Sequence, residues 1–182
     1  MDITDDASIH AAVADLEKKL CGAALDVLVN NAGVALENNI EHDGLRTRFE
    51  KTFSVNAFGT VVAAEAFHPL PKLYRTPGDR ECGLQRRKLH SNGRDSQRGV
   101  DESDLQVYKA SKSALNSIAI SLAVANPDVH VVVVDPGLNV TRLNTYGIGA
   151  DPNQGSQIIV DYALEIKGNS PGFYSGQGVL SW

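Results

Sequence analysis

Two short apolar runs, each passing directly into a turn, constrain this chain more than any other feature. Leu25-Asp26-Val27-Leu28-Val29 leads into Asn30-Asn31-Ala32-Gly33, and the run Val129 to Val134 leads into Asp135-Pro136-Gly137. Apolar runs of that length, rich in β-branched residues and closed by Asn, Gly or Pro, mark buried strands. Between them, residues 44–68 read as one long helix, broken or bent near Gly59. A second helix is expected from about Tyr108 to Ala125, closed by Asn126-Pro127, since proline cannot continue a helix. Ahead of the first strand, residues 7–20 place Ile9, Val13, Leu16 and Leu20 on one face of an amphipathic helix that Ser8 or Asp6 would cap. Near-continuous apolar strands alternating with helices predict an α/β fold, a doubly wound parallel sheet covered on both faces. Ligands of such sheets bind at the carboxyl ends of the strands. The turns at Asn30–Gly33 and Pro136-Gly137 are therefore expected to converge on one crevice.

At 182 residues and 42% hydrophobic content the chain suits a single domain. Its formal charge of −5 argues against a general nucleic-acid or anionic-membrane binder, both of which need basic surfaces. Cys21 and Cys82 show neither a disulfide framework nor a metal-ligand spacing, so no metal site is expected and a reducing compartment fits. The acidic start Met1-Asp2-Ile3-Thr4-Asp5-Asp6 does not read as a secretory signal, and no apolar stretch approaches the ~20 residues that span a bilayer. A soluble, cytoplasmic protein is the expectation.

Tyr108 and Lys112 stand four apart at the start of the second long helix, in Tyr108-Lys109-Ala110-Ser111-Lys112. Positions i and i+4 share a helix face, so the lysine ammonium reaches the neighbourhood of the phenol. A tyrosine titrates near pH ~10 when unperturbed, and a nearby cation lowers that value. Such a tyrosine serves as general acid or base toward a carbonyl or alcohol. Alone, the spacing is weak evidence, since it occurs by chance in many helices as an ordinary surface pair.

From Pro71 to Gly99 the pattern fails. Eight Lys or Arg face three acids there, giving the segment +5 within a chain of −5, with neither strand alternation nor helix periodicity. No aromatic residue stands between Arg75 and Gly99 to stack bases, so an irregular, solvated basic loop is expected rather than a nucleic-acid site.

Taken in order, Asp2-Ile3-Thr4, Asn30-Asn31-Ala32-Gly33, Asn56, Tyr108-x-x-x-Lys112 and Pro136-Gly137 resemble the short-chain dehydrogenases/reductases from the end of their third strand onward. The resemblance implies a single partial Rossmann-like dinucleotide-binding domain over residues 1–182, N-terminally truncated relative to the family. It implies an NAD(P)-dependent oxidoreductase moving hydride between nicotinamide and a small carbonyl or alcohol substrate, with NAD or NADP as cofactor. Tyr108 would be the acid/base, and Lys112 would assist it while holding the nicotinamide ribose. Asn56 would anchor a proton-relay water. Asp2 would contact adenine, Asn31, Ala32 and Gly33 would line the adenosine side, and Pro136, Gly137 and Thr141 would face the nicotinamide. Members of the family commonly dimerise through the helices bearing Asn56 and Tyr108, so a homo-oligomer is possible.

Two departures accompany the resemblance. No Gly-rich phosphate turn of the G-x-G-x-x-G kind occurs in the chain, and the strand that would flank Leu25 to Val29 is not found, which predicts a long, flat apolar edge. The family would also place a buried strand near residues 78–84 with a catalytic serine at its end. Here the sequence is Gly78-Asp79-Arg80-Glu81-Cys82-Gly83-Leu84-Gln85, whose three charges and two glycines argue against a central strand, and the nearest serines are Ser91 and Ser96. Position 139, usually Val or Ile, is Asn. A catalytically incompetent member, or the product of a faulty gene model that acts by protein binding through the exposed edge, is the alternative reading.

Overall fold

Strand β3, Val129–Asp135, is buried along nearly its whole length and organises the molecule. In the computed structural model its alternate valines feed two separate cores, as the period of two in a strand requires. Val129, Val131 and Val133 pack with Phe173 against Leu115, Ala119 and Ala123 of helix α4, Gln106–Ala125. Val132 and Val134 pack with Tyr174 against Ile158, Ile159, Tyr162 and Ala163 of helix α5, Pro152–Leu164. Helices thus cover both faces of the sheet, as expected of a doubly wound fold. The structure describes residues 1–36, 44–68, 70, 79–85, 106–144, 149–165 and 167–182, with backbone alone for 79–85 and 144.

The sheet has the order β1-β2-β3-β4-β5. Strand β1 (Val27–Val29) pairs parallel to β2 (Asp79–Gln85), β2 to β3, and β3 to β4 (Gly172–Ser175), while β5 (Gly178–Val179) closes an antiparallel hairpin with β4. Two expectations change here. Residues 79–85 form a strand, not part of an irregular loop, because the ladder with β1 and β3 uses backbone groups that any sequence supplies. The unfavourable composition leaves a trace: Cys82 pairs with Val132 and Leu84 with Val133, so Gly83 is the extra residue of a bulge. The rest of the segment 71–99 lies outside the described residues. The sheet edge at β1 is also not long: it is three residues, with Leu25 drawn instead into a third core beside Ile9, Phe67 and Leu70. A strand so short offers a partner little backbone to pair with.

Helix α1 runs Asp6–Leu20 and is capped by Asp5, whose carboxylate accepts from the Ala7 N–H at 3.0 Å. Ser8, one of the two anticipated caps, instead accepts from the Asp2 N–H at 2.9 Å. The expected long helix is three pieces: α2 (Leu45–Phe53), a π-helical turn (Ser54–Gly59) and α3 (Thr60–Phe67). The bend predicted at Gly59 is the end of that wide turn. A Cβ there would collide with the Ile3 carbonyl, so the glycine lets the Asp2–Thr4 turn rest directly on the helix backbone. No described helix is long and apolar enough to cross a membrane. Helix α5 and the β4–β5 hairpin, for which the sequence predicted no element, complete the C-terminal part of the fold.

Candidate active site

Helix α4 buries one stripe along its length: Val107, Tyr108, Ser111, Lys112, Leu115, Asn116, Ala119 and Ala123. Its C-terminal half is apolar and packs on β3. Its N-terminal half carries Tyr108, Ser111 and Lys112 on the same three- and four-residue spacing, so packing the apolar half delivers the polar half to a fixed place. Lys112 is only 4% exposed and its Nζ lies over the Tyr108 ring, 5.6 Å from the centroid. The sequence-predicted pair therefore meets, as a buried cation on an aromatic face rather than a solvated surface pair. Burial pulls the Lys112 ammonium down from 10.5 to about 8. Among the described residues no carboxylate forms an ion pair with it.

The turn after β1 arrives at the same point. A Cβ built on Gly33 would stand 3.4 Å from both Lys112 Nζ and Asn56 Oδ1, so the bare glycine leaves a narrow space beside the ammonium. Asn56, fully buried in the π-helical turn, clamps the next residue: its Oδ1 accepts from the Val34 N–H at 2.8 Å and its Nδ2 donates to the Val34 carbonyl at 2.8 Å. The same Nδ2 donates to Ser111 Oγ at 2.9 Å, and Ser111 Oγ donates to the Tyr108 carbonyl at 2.7 Å. Gly33, Asn56, Tyr108 and Lys112, up to 79 positions apart in sequence, are thus one cluster. Wide π-helical turns recur at functional sites because they displace side chains and carbonyls from the regular ladder. Val34 and Ser111 were not anticipated. Ser111 carried one legible signal, a small polar residue on the buried stripe three positions after Tyr108.

The remaining predicted residues lie on three turns, the one at the N-terminus and those that follow β1 and β3. Asn31 and Ala32 are exposed on the turn beside Gly33. The Asp2 carboxylate accepts from the Thr4 N–H at 2.9 Å and the Thr4 hydroxyl at 2.8 Å, and these bonds hold it below the usual carboxylate range. Thr4 in turn lines a shallow cavity of about 400 Å³ with Val34, Leu36, Glu50, Lys51, Ser54 and Val55, between the N-terminal turn, the loop after β1 and the helix that carries Asn56. At the end of β3 the Asp135 carboxylate accepts from the Gly137 N–H at 2.8 Å and closes a turn in which Gly137 has φ +75°, a value that suits glycine. Asn139 donates to the carbonyls of Pro136 (3.1 Å) and Gly137 (3.2 Å) and lies over the backbone of Gly155. The residue that departs from the family pattern therefore braces the turn that Pro136 and Gly137 form, and Thr141 follows just before a short 3₁₀ turn at Arg142–Asn144. Ser91 and Ser96 lie outside the described residues. No metal-ligand cluster occurs among the described residues.

Comparison with known proteins matches residues 1–168 to the family model described as enoyl-(acyl carrier protein) reductase. The chain is 31% identical over 158 residues to the short-chain dehydrogenase/reductase eupG of Phoma sp., covering 79% of this chain and 56% of that protein. It is 28% identical over 176 residues to the short-chain dehydrogenase anuI of Penicillium roqueforti, covering 91% of this chain and 66% of that protein. It therefore spans between about half and two thirds of the length of these relatives. Among solved structures, the NADPH-bound carbonyl reductase from chicken fatty liver superposes with a TM-score of 0.76 at 21% identity, over 100% of this chain and 75% of that one. The carbonyl reductase Sniffer of D. melanogaster gives 0.77 at 23% identity, over 100% and 76%. At those identities the structures establish a shared Rossmann fold, while the match over residues 1–168 carries the assignment: the chain belongs to the short-chain dehydrogenase/reductase family.

Proposed function

We propose that this chain carries the site of an NAD(P)-dependent oxidoreductase that moves hydride between a nicotinamide cofactor and the carbon of a small carbonyl or alcohol substrate. The observation that carries the reading is the convergence of Gly33, Lys112 and Asn56, where a Cβ on Gly33 would stand 3.4 Å from both side chains, beside a tyrosine on the same helix face as the lysine. The residues present fit a cofactor rich in hydroxyl and carbonyl groups. A buried ammonium without a carboxylate partner among the described residues needs hydrogen-bond acceptors, and the missing Cβ of Gly33 leaves room for them beside it. The NADPH held by the chicken reductase supports the same cofactor class.

In this reading Lys112 donates to the ribose hydroxyls, Asn31, Ala32 and Gly33 line the adenosine side with Asp2 at the adenine, and Pro136, Gly137 and Thr141 face the nicotinamide. The bound cofactor supplies or accepts the hydride, and the protein supplies orientation and the proton. Tyr108 donates its phenolic proton to the carbonyl oxygen during reduction and takes it from the hydroxyl during oxidation. The ammonium beside the phenol stabilises the negative charge left on its oxygen. The Asn56 side chain is committed to Val34 and Ser111, so in this reading anchoring of a proton-relay water falls to its backbone carbonyl, which stands in a wide π-helical turn.

Titration with NADH and with NADPH, followed by cofactor fluorescence, tests the reading: saturable binding is expected, and none at millimolar cofactor refutes it. Tyr108→Phe should lower turnover by about 10² to 10⁴-fold while leaving cofactor affinity nearly unchanged, since only the proton donor is lost. Equal activity in the variant would end the catalytic role. Lys112→Ala should weaken both turnover and cofactor binding.

A further inference from the structure

Ser111 is fully buried and its hydroxyl is engaged on both sides. Its proton goes to the Tyr108 carbonyl at 2.7 Å, and its oxygen receives a proton from Asn56 Nδ2 at 2.9 Å. Asn56 Oδ1 receives the Val34 N–H at 2.8 Å, which fixes which end of the amide is oxygen, because only the carbonyl oxygen accepts. The bonds therefore run in one direction, from the Val34 amide through the Asn56 side chain and the Ser111 hydroxyl to the first turn of α4. Chains with a single donor sense reinforce one another, because each donor is polarised by the bond behind it.

We propose that Ser111 is a positioning residue, the link that fixes the height of Tyr108 and Lys112 relative to the turn after β1. The bond from Asn56 Nδ2 to Ser111 Oγ joins α4 to the side chain that clamps Val34 in that loop. The apolar half of α4 sets its distance from the sheet but not its sliding along its own axis, since apolar contacts are non-directional. The 2.9 Å bond from Asn56 crosses between elements and does oppose sliding, while the 2.7 Å bond to the Tyr108 carbonyl fixes the hydroxyl that receives it. The inference rests on the oxidoreductase reading for what Tyr108 does, and on the bonds alone for what Ser111 does.

The test compares the full chain with Ser111→Ala, Ser111→Thr and Ser121→Ala. Threonine keeps a hydroxyl able to bond the carbonyl one turn back. Ser121 makes the same kind of bond on the same helix, to the Ser117 carbonyl at 3.0 Å, but on an exposed face away from the site. Two quantities are read: steady-state kinetics with cofactor affinity, and exchange of the Val34 amide proton by NMR. In Ser111→Ala, kcat should fall about tenfold or more while substrate KM stays within about twofold and cofactor affinity falls by less than kcat does, since misplacement of a catalytic group by about 1 Å costs up to about 10²-fold. Val34 exchange should quicken about tenfold as its acceptor loosens. Ser111→Thr should recover most of both effects, and Ser121→Ala should behave as the parent. A parent-like kcat in Ser111→Ala overturns the proposal, as does a fall in kcat with Val34 exchange unchanged. If Ser111→Ala does not fold, Ser111→Cys replaces it, a size match with a poor hydrogen-bonding group, and parent-like kinetics and exchange there overturn the proposal equally. A parent chain without turnover would refute the oxidoreductase reading, and Val34 exchange would still decide whether Ser111 holds the loop.

Discussion

Lys112→Met should make the cofactor-free protein more stable, by an amount that depends on pH. The lysine is 4% exposed, and burial holds its ammonium at about 8 rather than 10.5. At about 1.4 kcal/mol per pH unit, that depression corresponds to about 3 kcal/mol of native-state stability forgone. The sign follows from proton binding. Below about pH 8 the lysine is charged in both folded and unfolded chains and the full burial cost is present. Between about 8 and 10.5 the unfolded chain binds more protons than the folded one, so the parent gains stability as pH rises and the cost disappears. The contact of Nζ with the Tyr108 ring returns about 1 kcal/mol to the parent. A net advantage of about 2 kcal/mol for the variant is therefore expected at pH 6.5, narrowing steadily toward pH 9.5. Urea unfolding of both proteins at several pH values measures it, and the groups common to both chains cancel in the difference. A difference that stays flat with pH, or widens, would refute the assignment of Lys112 as a buried, desolvated cation. The same variant should lose cofactor affinity, the opposite direction from its effect on stability.

Two substitutions at glycine probe the architecture around it. Gly33→Ala should leave stability within about 1 kcal/mol, because its Cβ meets neighbours at 3.4 Å, but should weaken cofactor binding about tenfold in a fluorescence titration by filling the space beside Lys112. Gly59→Ala should cost about 3 kcal/mol, because its Cβ would meet the Ile3 backbone and not a side chain that can turn aside. That loss is expected to appear as a fall of about 6–12 °C in thermal midpoint for a chain of this size.

The parts legible in the sequence were those where side chains alone decide the outcome. Val129 to Val134 announced a strand because both of its faces are buried, and α4 announced itself by the periodicity that buries Leu115, Ala119 and Ala123. The wide turn at Asn56 was legible as a bend, since Gly59 marks where another backbone comes close. Strand β2 was not legible: a charged and glycine-containing segment is bound there by backbone pairing to both neighbours, which no side-chain pattern reports. The cap of α1 went to Asp5 because the helix starts one residue earlier than its apolar spacing suggested, and cap geometry depends on that single residue. The polar opening of α5, Pro152-Asn153-Gln154, resembles a loop until Asp151 is seen capping it at 2.9 Å. At the site, residue types pointed to Tyr108, Lys112 and Asn56, while the bonds through Ser111 to Val34 depend on which side chains face each other across three elements.

The division of β3 between two cores has a consequence for how the molecule can change over generations. Val131 and Val133 answer to the layer that carries Tyr108 and Lys112, whereas Val132 and Val134 answer to the layer of α5. Substitutions in Ile158, Ile159 or Tyr162 share no core neighbour with Leu115 or Ala119, so their costs should combine as nearly independent amounts. One side of the sheet is thereby free to drift, while the other keeps Tyr108 and Lys112 in register.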